Sequence, residues 1–255
     1  MKKLIVLLFP FLLASCSVMG VYPDAEKYVA GSQEYEGEIK TLNVSWVAGS
    51  LTLVEDESAT TISVKEENSF SEAEKVHSYF HDNTLDVQYC ASGFVGHIDS
   101  NQKNLVITYK PGLEKLNISL TSGSFRAEAL HASEANLSLT SGKIEVDSLE
   151  ANEINCSSTS GSVSFNNVKT NKFKSSFTSG SSTVNFLELN EAHLSGTSGY
   201  IVLRTPEAGA TVHVSQTSGK TNSHREGTVS NGTYTYGDGS AKVDISLTSG
   251  TVELY

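Results

Sequence analysis

Across the second half of the chain, apolar and polar residues alternate in a fixed phase about a recurring tripeptide. Thr-Ser-Gly occurs seven times, with glycines at Gly123, Gly142, Gly161, Gly180, Gly199, Gly219 and Gly250. Their spacings are 19, 19, 19, 19, 20 and 31 residues. Counted from each glycine, apolar residues fall seven, five and often three before it, and two, four and seven after it. In one repeat these are Ala135, Leu137, Leu139, Ile144, Val146 and Leu149. In the next, Ile154, Cys156 and Ser158 precede Gly161, and Val163, Phe165 and Val168 follow. A period of two means strands with one buried face. Two short strands about a glycine corner, repeated at constant phase, predict an all-β fold: a parallel β-solenoid or β-helix with 19-residue coils and Ser-Gly corners.

Coils stacked about 4.8 Å apart place equivalent residues in columns. Glycine suits a corner because it takes positive φ without a Cβ penalty. Thr and Ser at the corner can bond neighbouring backbone, so the tripeptide reads as structural punctuation rather than a catalytic serine. A second column, Asn152, Asn171 and Asn190, lies ten residues after each glycine and predicts another corner with an amide ladder. The last spacing is one repeat plus an insertion carrying the turn sequences Asn231-Gly232 and Gly237-Asp238-Gly239.

The first half carries the pattern more loosely. Leu42, Val44 and Trp46 alternate before Ala48-Gly49-Ser50, and Leu51 and Leu53 follow. Ile62 to Val64, Leu85 to Val87 and Leu105 to Ile107 read as further strands. Ser71 to Phe80 reads as a short helical turn within the polar connection from Glu66 to Asn83. One continuous domain is expected over 38–255, irregular to about residue 110 and regular after it.

The chain opens with a different signal. Lys2 and Lys3 precede an apolar run from Leu4 to Leu13, and Leu13-Ala14-Ser15-Cys16 follows. A basic start, a short apolar stretch and small residues make a secretory signal, too short for a permanent span. Cys at the cleavage point resembles the bacterial lipobox. That resemblance implies a signal peptide over 1–15, lipidation of Cys16 and membrane attachment through the lipid. Ser17, where Asp would retain a Gram-negative lipoprotein in the inner membrane, implies the outer membrane. Residues 16–37 mix small, polar and acidic types without periodicity and read as a tether. Asn43, Asn117, Asn136, Asn155 and Asn231 stand in N-x-S/T contexts; behind a bacterial lipobox these read as coincidence rather than glycosylation sites.

Charge removes one class of function. Of the 255 residues, 18 are Lys or Arg and 29 are Asp or Glu, a net charge of −11. Loss of Lys2 and Lys3 would leave 16 − 29 = −13. Such a surface repels nucleic acid. Three cysteines make no disulfide framework. Cys156 falls in an inward column as a small hydrophobe; a Cys90–Cys156 disulfide stays open in an oxidising envelope, without support from spacing.

Candidate chemistry is sparse. His193 and His213, each six before its corner glycine, are expected to stack on the outer face; a third metal ligand is not evident, so no metal is assigned. Glu128, Glu145 and Asp147 project outward just after the first two corners. Carboxylates placed together suit glycoside cleavage or calcium, but Arg126 falls beside Glu145 and can simply pair with it. Glu128, Glu145, Asp147, His193 and His213 are therefore kept as surface interaction columns. No nucleophile elbow, zinc helix, phosphate loop or dinucleotide fingerprint occurs, so no catalytic residue and no cofactor is assigned.

Three stretches together resemble a known family: Val44 to Leu53, Asn104 to Gly112, and the Ser-Gly repeats through Tyr236 to Leu254. They are similar to DUF4097, bacterial β-strand-repeat proteins that often carry an adhesin label. The resemblance covers roughly 38–255, implies a β-solenoid on the cell envelope and supplies no catalytic residues. The expected function is an envelope-anchored lipoprotein whose domain acts as an adhesin-like binding or surface-interaction module, meeting an envelope protein or glycan. The alternatives are a structural or stress-sensing envelope component and, with less support, a polysaccharide-cleaving β-helix.

Overall fold

The computed structural model describes residues 20–99 and 102–255. Among them thirteen strands join in one mixed sheet that curls back on itself, an all-β, β-helix-like fold. The regular half, β9 (Leu113–Arg204), is a single extended run of 92 residues. It meets itself one repeat later: Asn136 donates to Asn117 and Asn171 to Asn152, each pair 19 residues apart. The alternation decides which side chains face in. Leu137, Leu139, Ile144, Val146, Val163 and Phe165 are all buried. Phe165, Phe173 and Phe186 pack edge to face at centroid distances of 6.0 and 5.1 Å along the core.

The corner glycines are required mainly by close approach. A Cβ on Gly142 would stand 2.1 Å from the carbonyl oxygen of Gly123, on a backbone at φ +120°. Gly161 has no positive φ, yet its Cβ would still meet the Gly142 oxygen at 2.7 Å. Backbone therefore lies on backbone at every corner, and the φ > 0 explanation covers only part of the column.

At both ends the order of strands in space departs from their order in sequence. β3 (Thr41–Trp46) lies between β7 (Thr84–Gln88) and the start of β9, parallel to both. β4 (Ser50–Glu55) lies likewise between β8 (Asn104–Tyr109) and β9. At the other end β13 (Ala241–Leu254) runs parallel between the last repeat of β9, Glu191 to Leu203, and β10 (Gly209–Ser223). The expected simple insertion after Gly219 is corrected accordingly. Its residues form β11 (Thr228–Ser230) and β12 (Thr233–Gly237); β12 pairs antiparallel with β10 and β11 pairs antiparallel with β12, and the chain then returns on the inner side of β10. Asn231 and Gly232, both at positive φ, make the predicted turn between them. The expectation of a wholly parallel stack is corrected too: β5 (Thr61–Glu66) and β6 (His77–His81) lie antiparallel to β8 and β7 and cap the N-terminal pole. Antiparallel covers of this kind leave less ladder edge open to other chains.

Two further expectations change in the first half. Ser71 to Phe80 is not a helical segment throughout. Glu74 caps a single turn through the Ser71 hydroxyl and amide, and β6 begins at His77. The stretch read as tether is also packed on the domain from Gly20 onward. β1 (Val29–Ala30) pairs with β6, and β2 (Gln33–Glu36) pairs with β5. The Tyr22 hydroxyl donates to the Cys90 carbonyl, and the rings of Tyr22, Tyr28, Tyr79 and His81 follow one another at 4.7, 5.6 and 4.4 Å.

Beneath this cap sits a buried ion pair. Lys103 is fully enclosed, donates to Glu66 and to the Glu74 carbonyl, and has its ammonium over the rings of Phe70, Tyr89 and Trp46 at 4.4, 5.1 and 5.6 Å. Burial pulls the Lys103 ammonium below its ordinary range, and the Glu66 hydrogen bond opposes that shift.

Candidate functional site

A groove of about 770 Å³ runs across six successive strands. Two columns line it. Six residues before each corner stand Asn43, Asn117, Asn136 and Asn155, followed by Lys174 and His193. Four before each corner stands a serine at every repeat, from Ser45 and Ser119 to Ser195. The strand pleat explains the arrangement, because residues two apart share a face. The four asparagines form one polarised ladder: Asn43 donates to Asp86 at 2.7 Å, Asn117 to Asn43 at 2.7 Å, Asn136 to Asn117 at 2.9 Å and Asn155 to Asn136 at 3.1 Å. The second amide hydrogens of Asn136 and Asn155 reach Glu134 and Glu153. A smaller groove of about 230 Å³ lies on the corner side and shares Ser138, Ser157 and Ser176 with the first.

The N-x-S contexts at Asn43, Asn117, Asn136 and Asn155 are thus not coincidence. They are the two groove columns seen in one dimension. The full repeat reads S-x-T-S-G at all seven corners. Extending the tripeptide backward by two residues would have shown the serine column, and the strand alternation would have placed it outside.

The residues expected to matter are dispersed. Glu128 is exposed, and Asp147 accepts from Asn166 at 2.6 Å. Glu145 is held on both oxygens, by Lys143 at 2.5 Å and Arg126 at 2.7 Å. Those two hydrogen bonds hold its carboxyl below the usual range, the opposite of what a general acid needs. His193 and His213 do not adjoin. Asp244 of the inserted β13 stands between them in register, 3.4 Å from His193. Among the described residues no three His, Cys, Asp or Glu side chains stand close enough to hold a metal ion. Cys90 and Cys156 are both free and buried, which pushes their thiols up to about 11 and about 12; such thiols are inert. Cys16 lies outside the described residues.

Two clusters had no signal in the sequence because their members come from distant strands. Glu55, its side chain 4% exposed, accepts from the His131 amide at 2.8 Å and the Tyr109 hydroxyl at 3.2 Å, and pairs with the His131 ring at 2.6 Å. Glu253 pairs with His224 at 2.6 Å and accepts from Asn222 at 2.7 Å, while His224 stacks on Tyr255. The second cluster staples β13 to its neighbour. Neither cluster opens onto the groove.

No curated protein matches the chain. Among solved structures, a candidate adhesin from Bacteroides fragilis is 12% identical, with 88% of this chain and 96% of that chain covered and a TM-score of 0.49. A candidate cell adhesion protein from Clostridium sporogenes is 14% identical, with 88% and 98% covered and a TM-score of 0.40. A candidate lipid-binding protein from Parabacteroides distasonis is 12% identical, with 89% and 97% covered and a TM-score of 0.45. The Toastrack DUF4097 family profile matches residues 38–255, the span of all seven repeats and of strands β3 to β13, and the chain belongs to that family.

Proposed function

We propose that this chain is an envelope-anchored binding module, a β-solenoid of 19-residue coils that offers its Asn/Ser groove to an extended ligand. The groove is the observation that carries the reading. It is concave, spans several repeats and has polar groups left over after its internal ladder is satisfied, which is the general form of a binding site. A polysaccharide-cleaving activity has less support, because Glu145 is neutralised by two cations and Glu128 and Asp147 do not join it in a cleft.

The anchor belongs to the same proposal. A lipid on Cys16 would be separated from Gly20 by residues 17–19 alone, and four steps of extended chain reach about 14 Å. Gly20 and Tyr22 are held against Ser92, Gly93 and Cys90 at the N-terminal pole. The pole would therefore rest close to the bilayer, with the groove rising away from it. Two experiments test this. Glycan and matrix-protein arrays probed with the domain from Gly20 onward should give a ligand; silence on both, with the protein inaccessible on intact cells, would favour a structural envelope component. Labelled fatty acid should enter the wild-type protein and not the Cys16→Ser form, and identical membrane fractionation of the two would refute the anchor.

A further inference from the structure

We propose that the groove takes a neutral, linear, hydroxyl-bearing polymer, a neutral polysaccharide chain laid along the stack of repeats with its hydroxyls against the Asn and Ser columns. This rests on the binding-module reading above and names the ligand class for the same site.

The first argument is charge. In a chain of net −11, the serine column and the Thr-Ser corner columns hold no ionisable side chain at any of the seven repeats. The ionisable groups on the groove rim are already matched: Lys115 with Glu134 at 3.2 Å, Lys174 with Glu153 at 3.2 Å and His193 with Asp244 at 3.4 Å. An anionic polymer would find Lys174 and His193, the cationic groups in the lining, already paired with carboxylates. A cationic polymer would find no unpaired acid among the groove-lining residues.

The second argument is hydrogen-bonding capacity. A primary amide has two N–H donors and an oxygen with two lone pairs. The ladder uses one donor of each Asn and one lone pair of Asn43, Asn117 and Asn136, leaving a lone pair free on each of these three and a donor free on Asn43 and Asn117. Along the serine column the one contact is Ser157 to Ser138 at 3.4 Å, so the hydroxyls of Ser119, Ser176 and Ser195 keep both functions. Sugar hydroxyls also donate and accept, and they match this mixture without a formal charge. The stations recur about every 4.8 Å, which favours a ligand that repeats as well.

The third observation is an orphan. Ser158 occupies a column where neighbouring repeats carry Leu139 and Phe177, it is only 9% exposed, and its Oγ has no hydrogen-bond partner. That column faces the core, on the side of the strand opposite Ser157, so the orphan hydroxyl destabilises the fold without reaching a groove ligand, and it serves as an internal control.

The test is calorimetry with the domain from Gly20 onward against dextran, mannan and β-1,4-glucan oligomers of increasing length, beside polygalacturonate and heparin. Binding to at least one neutral series is expected, rising about tenfold from trimer to hexamer as more stations engage. Ser138→Val, Ser157→Val and Ser176→Val together should lower that affinity by about tenfold or more; valine suits exposed strand positions, so melting should change little. Ser158→Ala, on the inward face, should raise the melting temperature and leave binding unchanged. Preference for the charged polymers, or neutral binding indifferent to the three serine-to-valine substitutions, would overturn the proposal. A protein ligand that competes at the groove would overturn the ligand class and leave the binding module standing. Absence of any ligand on glycan and protein arrays would remove both.

Discussion

Substituting alanine at two corner glycines separates steric contact from backbone conformation. At Gly142 the new Cβ would lie 2.1 Å from the Gly123 oxygen and 2.8 Å from its nitrogen, on a backbone at φ +120°. Both obstacles are main chain held by ladder hydrogen bonds, so relief requires a shift of about 1 Å along the stack. Overpacking of this degree costs about 1–3 kcal/mol, and the unfavourable φ adds about 1–2 kcal/mol. At Gly161 the nearest oxygen is 2.7 Å away, the next contact is the movable tip of Leu139 at 2.9 Å, and φ is not positive. Only the overpacking contribution applies there. For a domain of this size each kcal/mol moves the midpoint by about 2–4 °C. Gly142→Ala should therefore melt about 4–20 °C below wild type, and Gly161→Ala about 2–12 °C below, with Gly161→Ala always the milder. Thermal melts followed by circular dichroism measure both. Equal shifts, or two variants within about 1 °C of wild type, would refute the close-approach account of the corner.

Four other outcomes follow from the packing and charges. Phe173→Ala removes the middle ring between Phe165 and Phe186 and should cost about 3–5 kcal/mol in urea unfolding. Lys103→Met alone leaves Glu66 buried without its partner and should cost about 3–5 kcal/mol, whereas Lys103→Met with Glu66→Gln should recover most of that loss in the same assay. Deleting residues 134–152 joins equivalent positions and should leave a folded, somewhat less stable domain, while deleting 134–142 shifts inward columns out of phase and should aggregate; similar dichroism and melting of the two would contradict the repeat. Glu145 and Glu153 have carboxyls held low by their lysine and arginine or asparagine partners, so what they contribute is present above the ordinary carboxylate pKa and is lost as pH falls through their folded values. Glu145→Gln with Glu153→Gln should slightly flatten the fall in melting temperature between about pH 5 and pH 3, a small effect because both pairs are exposed.

The inward face was legible because burial alternates with the strand pleat. Leu139, Val146 and Cys156 lie where the period placed them, and the ladder of Asn152, Asn171 and Asn190 formed as the spacing implied. The poles were not legible. Local alternation records which face a residue takes, but not which neighbour its strand chooses, and β13 carries the same S-x-T-S-G as every other repeat. Its insertion beside β9 is decided by long-range pairing, and that choice separates His193 from His213. The groove columns were visible as N-x-S and were set aside as a chance glycosylation motif, because a modification motif and a structural repeat share the same letters. Glu55 with His131 lies beyond such reasoning altogether, since 76 residues separate the partners.

The interleaving of the poles limits how this protein can change length. Strands β3 and β13 are each clasped between segments laid down at different times by the chain, so a unit added at either extremity would have to displace a strand already gripped on both sides. Between Gly142 and Gly180 no such constraint operates, because each repeat there touches only the one before and the one after. Duplication or loss of 19 residues in that stretch moves one capped end relative to the other by about 4.8 Å and leaves both clasps untouched. Size variation among chains of this design should accordingly collect in the middle, where every added unit also lengthens the Asn/Ser groove by one station.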